Sequence, residues 1–121
     1  MNFIKNKDNY YIWVLAPYLE TEDENLKYFY DYSQSIAEYQ KVFTEVGCTW
    51  SWVNVTMDNI ESVMSDIKNQ TSKTNIALNL CDGDEINDTP GISVIEALEK
   101  NNVIYTGAKA CFIGIFEVVI L

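Results

Sequence analysis

The chain contains no histidine. That removes the commonest general base and the commonest metal ligand, so catalysis by this chain alone would have to use carboxylates, lysines or thiols. Basic residues are scarce too: eight against 18 acidic side chains give a formal charge of −10. Such a surface repels a phosphate backbone and an anionic bilayer alike, and neither nucleic acid nor membrane is an expected partner. The three cysteines, Cys48, Cys81 and Cys111, are odd in number, widely spaced and set in or beside apolar segments. This suits reduced, partly buried thiols better than a disulfide framework or a zinc site. Met1 to Asp8 is polar and offers no apolar h-region, so the expectation is a cytoplasmic protein without a signal peptide. The sequons at Asn54, Asn69 and Asn87 then read as products of an asparagine-rich composition. Missing as well are a G-x-G-x-x-G after the first apolar run and a G-x-x-x-x-G-K-[ST] anywhere, which argues against nucleotide binding by this domain alone.

What is present is enough for one core. With 121 residues, 48% of them hydrophobic, and a mean hydropathy of −0.09, the chain is expected to form a single domain over 1–121. Tyr10 to Ala16 is an apolar run closed by Pro17, the pattern of a first, central strand in a parallel sheet. Tyr18 to Glu24 carries Glu20, Glu22, Asp23 and Glu24 without apolar periodicity, which predicts an exposed loop; a cation or ammonium site is the functional alternative. Leu26 to Tyr32 is rich in aromatics and either begins the next helix or packs over that loop. Ser35 and Glu38 have capping-box spacing, and Ile36, Tyr39, Phe43 and Val46 then recur at helical spacing before Gly47. Trp50 to Val55 predicts a second strand, with Trp50 and Trp52 packing on a sheet face rather than stacking on a base or sugar. Asp58 is the expected cap of a helix whose apolar positions are Ile60, Val63, Met64 and Ile67.

The stretch from Asn75 to Gly107 completes the alternation. Asn75 to Cys81 predicts a strand covered on both faces, Asp82 to Asp88 an acidic loop, and Thr89 with Pro90 the cap and first position of a helix. Val94, Ile95 and Leu98 give that helix its apolar face, Asn101-Asn102 end it, Val103 to Tyr105 predicts a short strand, and Gly107 permits a tight turn. Strands alternating with helices predict a three-layer, Rossmann-like α/β domain with a mostly parallel sheet of about four strands. A right-handed crossover would make Cys81 to Asp88 and Thr106 to Ala108 neighbours on the edge where open α/β sheets bind ligands. The acidic loop does not follow the calcium-loop pattern, because Ile86 stands where an oxygen ligand is needed and Ser93 replaces the terminal glutamate; no metal site is expected. Nor does the first strand end in the acidic pair of a phospho-acceptor domain, since Ala16-Pro17 stands there.

Asn79-Leu80, Gly83, Glu96 with Leu98-Glu99, and Ile104-Tyr105-Thr106-Gly107 form a pattern over Asn75 to Ala110. It resembles the N-terminal, pre-ATP-grasp domain of the D-alanine-D-alanine ligase-like ATP-grasp superfamily. The resemblance implies a Rossmann-like domain closing one side of an active site, with ATP and magnesium held by later domains that activate a carboxylate as an acyl phosphate and join it to an amine. It implies substrate-side positions at Asn79, Cys81, Asp82, Gly83, Glu85, Tyr105, Thr106 and Gly107, a small amino-acid-like substrate, no catalytic residue and no cofactor in this chain. The family's glycine-rich turn after the first strand is here Ala16-Pro17-Tyr18-Leu19-Glu20, and Cys81-Asp82 replaces a frequent histidine-glycine pair. On this view the chain reads as a truncated ligase, unable to ligate unaided. The alternative is a small non-catalytic α/β binding or interaction module; a carboxylate-only hydrolase ranks third, for want of a nucleophile beside a base. Ala108 to Leu121 ends in the apolar run Phe116 to Leu121, too short to span a membrane. That tail is expected to dock on its own domain or a partner, and self-association through it stays open.

Overall fold

A computed structural model of the chain describes residues 9–106, and the expectations for Gly107, Ala108, Cys111 and the tail Phe116 to Leu121 lie outside the described residues. Four strands, β1 (Tyr10–Pro17), β2 (Thr49–Val55), β3 (Thr74–Asn79) and β4 (Ile104–Thr106), form one sheet in the order β2-β1-β3-β4, and every neighbouring pair is parallel. Helices α1 (Glu24–Phe29), α2 (Ser33–Val46), α3 (Ile60–Asn69) and α4 (Ile92–Lys100) connect them. The three-layer, Rossmann-like α/β class expected from the alternation is the observed fold.

β1 is central because nothing polar interrupts it. Ile12, Trp13, Val14, Leu15 and Ala16 are all buried, and alternate side chains enter two separate cores. Trp13 and Leu15 pack with Val63, Met64 and Ile67 of α3 and with Val94, Ala97 and Leu98 of α4. Ile12 and Val14 face the other way, toward Tyr39, Phe43 and Val46 of α2. The predicted tryptophans of β2 also lie on this second face, where Phe43 meets Trp50 at 5.3 Å and Tyr39 meets Trp52 at 5.7 Å between ring centroids. They pack as predicted, on a helix.

One polar side chain ties the two ends of the α3 connection together. Asn75 accepts from the buried Trp13 indole at 2.9 Å and donates to the Ile67 and Gln70 carbonyls at 2.8 and 3.1 Å, so it satisfies the C-terminal end of α3 at the start of β3.

Several predicted boundaries move, each for a local reason. α2 starts before the Ser35–Glu38 box, because the Asp31 carboxylate accepts from the Ser33 amide at 3.0 Å and offers the chain an earlier entry. Asp58 does not cap α3; Asn59 precedes it, accepting from the Thr56 amide at 2.8 Å and donating to the Asn54 carbonyl at 3.0 Å. The predicted exposed loop after β1 is shortened by α1, whose cap is Asp23, accepting from the Asn25 and Leu26 amides at 2.9 and 3.2 Å. Thr89 does not cap α4 and Pro90 is not its first residue: Gly91 precedes the helix, Pro90 is buried, and Thr89 turns back on the acidic loop. β3 stops at Asn79 rather than Cys81 because the Asn79 side chain takes the Cys81 amide at 3.1 Å, and β4 starts at Ile104 because the Val103 amide closes α4 on Leu98 at 2.9 Å. Leu15, fully buried at the centre of the sheet, should show what this arrangement rests on. Leu15→Ala is expected to cost about 2–5 kcal/mol, measured as a lowered urea midpoint with the slope unchanged.

Candidate functional site at the carboxyl edge of the sheet

Strands β1 and β3 are neighbours whose connections leave toward opposite faces, β1 toward α2 and β3 toward α4. The crevice between their carboxyl ends is the topological switch point, where open α/β sheets bind ligands. Its walls are Pro17 to Glu20 and Leu80 to Gly83. The first is held by the Tyr18 amide on the Val55 carbonyl at 2.8 Å and by the Tyr32 hydroxyl on the Pro17 carbonyl. The second is held by the Leu80 amide on the Leu15 carbonyl at 2.8 Å.

Two clefts open beside the first wall and share Tyr18, Leu19 and Glu20. One, of about 430 Å³, is closed by Thr56, Met57, Asp58 and Asp88, so it gathers the ends of β1 and β2 and the acidic loop. The other, of about 630 Å³, lies under α1 and is walled by Tyr30, Tyr32 and Ile36 with Glu22 and Asp31 at its rim. Lys27 at this rim is matched by Glu22 at 3.5 Å and Glu24 at 3.9 Å. Both clefts are therefore acidic, and the first is lined by three carboxylates, Glu20, Asp58 and Asp88.

The residues predicted for substrate fall into two groups. Cys81 and Asp82 stand at the switch point, and neither lines these two clefts. Cys81 is buried with its sulfur 3.7 Å from the Leu15 carbonyl. Burial, with the Asp82 charge second, pushes its thiol up to about 12, so it is neutral and unreactive at physiological pH. Burial, followed by the charges of Tyr30, Cys81 and Asp82, pushes the Tyr32 phenol up to about 12 as well.

The other predicted residues serve the fold. Asn79 holds the Cys81 amide. Tyr105 turns toward α3 and α4 and donates to Glu99 at 2.6 Å. Thr106 lies on the opposite face, its buried hydroxyl oxygen without a hydrogen-bond partner among the described residues. Gly83 donates its amide to the Pro90 carbonyl at 2.8 Å, and a Cβ there would stand 2.6 Å from the Thr89 oxygen. A Cβ on Gly91 would stand 2.2 Å from the Gly83 oxygen, so the two ends of the loop cross where only glycine fits.

Glu85 provides the cap that Thr89 does not. Its carboxylate accepts from the Gly91 and Ser93 amides at 2.8 Å each and from the Ser93 hydroxyl at 2.6 Å. A carboxylate on the first amides of α4 satisfies donors left open by the helix and meets the positive end of its dipole. Partial burial alone would raise this carboxyl, but the bonds from Ser93 and Gly91 together outweigh it and hold it below the usual glutamate range. Asp84 is engaged likewise, accepting from the Ile86 amide at 2.8 Å and the Asn87 amide group at 3.0 Å. Sequence reasoning placed Glu85 on substrate and missed this use. The signal available was Ser93 eight residues later, at the start of the helix.

Among the described residues no group of three or more histidine, cysteine, aspartate or glutamate side chains is arranged to hold a metal ion. No helix among them is long and apolar enough to cross a membrane. Compared with known proteins, the chain matches no protein-family model, no curated protein and no solved structure.

Because the folded-state value of Glu85 is depressed, its contribution is present above the ordinary glutamate value of 4.5 and lost as pH falls through the folded value. Glu85→Ala should therefore cost about 0.5–2 kcal/mol at pH 7, and urea midpoints of the two proteins should converge as pH falls below the ordinary glutamate value. Cys81 in the native chain should react with iodoacetamide about a hundredfold or more slowly than in the urea-unfolded chain at the same pH, read by peptide mass spectrometry.

Proposed function

We propose that this chain is the substrate-side N-terminal domain of an ATP-dependent carboxylate-amine ligase of the D-alanine-D-alanine ligase-like kind, not competent to ligate alone. The observation that carries the proposal is that the loop of the motif-bearing β3–α4–β4 unit brings Asp88 to an acidic cleft of amino-acid size at the carboxyl edge of the sheet, beside Glu20 and Asp58. Carboxylates there would attract the ammonium group of an amino-acid-like substrate and hold it against a carboxylate activated elsewhere. With the Gly83 amide and the Glu85 carboxylate engaged inside their own loop, recognition passes to Glu20, Asp58 and Asp88.

ATP and magnesium belong, in this proposal, to the domains that would complete the enzyme. The residues of this chain do not fit a polyphosphate at the switch point. Pro17 has no amide hydrogen to offer, the Tyr18 amide is taken by Val55, and Glu20 would repel the ligand.

A second reading, a non-catalytic α/β binding module, is favoured by the same engagement of Gly83 and Glu85, which leaves the motif explained by folding alone. Calorimetric titration separates the two. ATP with magnesium should give no heat, and clear nucleotide binding would refute the division of labour. Small amino acids should bind weakly, with Kd on the order of millimolar, and Glu20→Gln with Asp58→Asn should weaken them about tenfold. No binding of any amino acid at tens of millimolar would leave the module reading in place.

A further inference from the structure

The larger of the two clefts takes no part in the ligase proposal, and its walls are aromatic where those of its neighbour are not. Tyr18, Tyr30 and Tyr32 all line it, each half-buried. Tyr18 meets Tyr30 at 5.9 Å between ring centroids and 65° between planes, and Tyr30 meets Tyr32 at 6.4 Å and 75°. Rings inclined so steeply form the sides of a corner rather than a flat stack. The corner is held in place, because the Tyr32 hydroxyl donates to the Pro17 carbonyl and its ring packs on Trp52 at 5.4 Å. Leu19 and Ile36 add apolar surface, and the volume of about 630 Å³ is ample for a small molecule.

The charge of this cleft has one dominant sign. Glu20, Glu22 and Asp31 line it against a single ammonium, that of Lys27, which Glu22 and Glu24 already hold. Asp31 keeps a donor in the Ser33 amide, while the Glu20 carboxylate has none among the described residues. Such a set repels an anion. A small, strongly hydrated metal ion is no better served, since no group of three ligating side chains is arranged for one among the described residues. What suits both the rings and the carboxylates is a cation that is bulky, apolar at its surface and weakly hydrated.

We infer that this cleft binds a methylated or quaternary ammonium group, with Tyr18, Tyr30 and Tyr32 as its aromatic walls and Glu20 and Glu22 as its counter-charge. The negative face of each ring attracts the cation, and its methyl groups pack where a hydrated ammonium would have to shed water. The inference does not rest on the ligase proposal, whose ammonium group is assigned to the neighbouring cleft of Glu20, Asp58 and Asp88.

Choline tests it beside its neutral isostere, the alcohol in which a tert-butyl group replaces the trimethylammonium. Each is titrated with the full chain at constant ionic strength, and ring-current shifts of its methyl protons report binding. Choline should bind with Kd on the order of millimolar, about tenfold or more tighter than the isostere. Tyr30→Leu should weaken choline about tenfold, whereas Tyr30→Phe keeps the ring and should change it by no more than about twofold. Asp58→Asn, at a position outside this cleft, should leave choline binding as it was. Equal binding of the two ligands, no choline binding at tens of millimolar, indifference to Tyr30→Leu in a folded chain, or an equal loss on Asp58→Asn would each overturn the inference. The comparison of the two ligands needs no variant, so it decides the matter even where Tyr30→Leu unfolds the chain.

Discussion

Everything in this domain hangs on the burial of β1 between two parallel neighbours and under two helical layers. Its five consecutive buried residues leave no side for water, so every backbone amide and carbonyl in it must be answered by β2 or β3. That demand aligns the neighbouring strands in one direction and brings their carboxyl ends to one edge. The connections then diverge at that edge between β1 and β3, and among the described residues the loops that follow these strands are the ones placed to build a site. Among the described residues these loops are Pro17 to Glu20, Thr56 to Asp58 and Leu80 to Asp88.

Within those loops and around α1 the negative charges divide by use. Asp23 and Glu85 sit on helix amides, Asp31 holds the Ser33 amide at the start of α2, and Asp84 closes the short turn at Glu85–Asn87. These carboxylates are stabilised by the donors they hold, and a ligand would have to displace those donors to reach them. Glu20, Asp58 and Asp88 instead face a common cleft. An acidic loop that looks uniform in one dimension thus separates into structural and solvent-facing charges once the helix starts are known.

How much of this was legible in the sequence follows from the range of the forces involved. β1, β2, the apolar faces of α2 to α4 and the strand–helix alternation were readable because hydrophobic periodicity is local and strong. The caps were not, because several candidates compete within a few residues: Asp31 against Ser35, Asn59 against Asp58, and Glu85 against Thr89. α1 was half legible, a helix at Leu26 being one of two readings, because none of its residues is buried and its apolar side chains carry no period that a core enforces. The clefts were least legible of all. Glu20, Asp58 and Asp88 lie far apart in the chain and meet only through the parallel order of the strands.

The division of roles also changes what the motif over Asn79 to Gly107 can signify. Gly83 is dictated by a backbone crossing, Tyr105 by packing against α4, and Asn79 by the turn that ends β3. Each would be required in any domain that folds this way, whether or not it meets a substrate, so the motif argues for the fold more strongly than for the chemistry. The loop after β1 is different. Ala16-Pro17-Tyr18-Leu19-Glu20 is where the chain departs from the ligase-like pattern, and it is also the wall shared by both acidic clefts. Tyr18, Leu19 and Glu20 are not needed to hold β1 in place, which its buried residues already do. Their side chains are free of that constraint, so in the proposed reading selection of a ligand would fall to them rather than to the glycines.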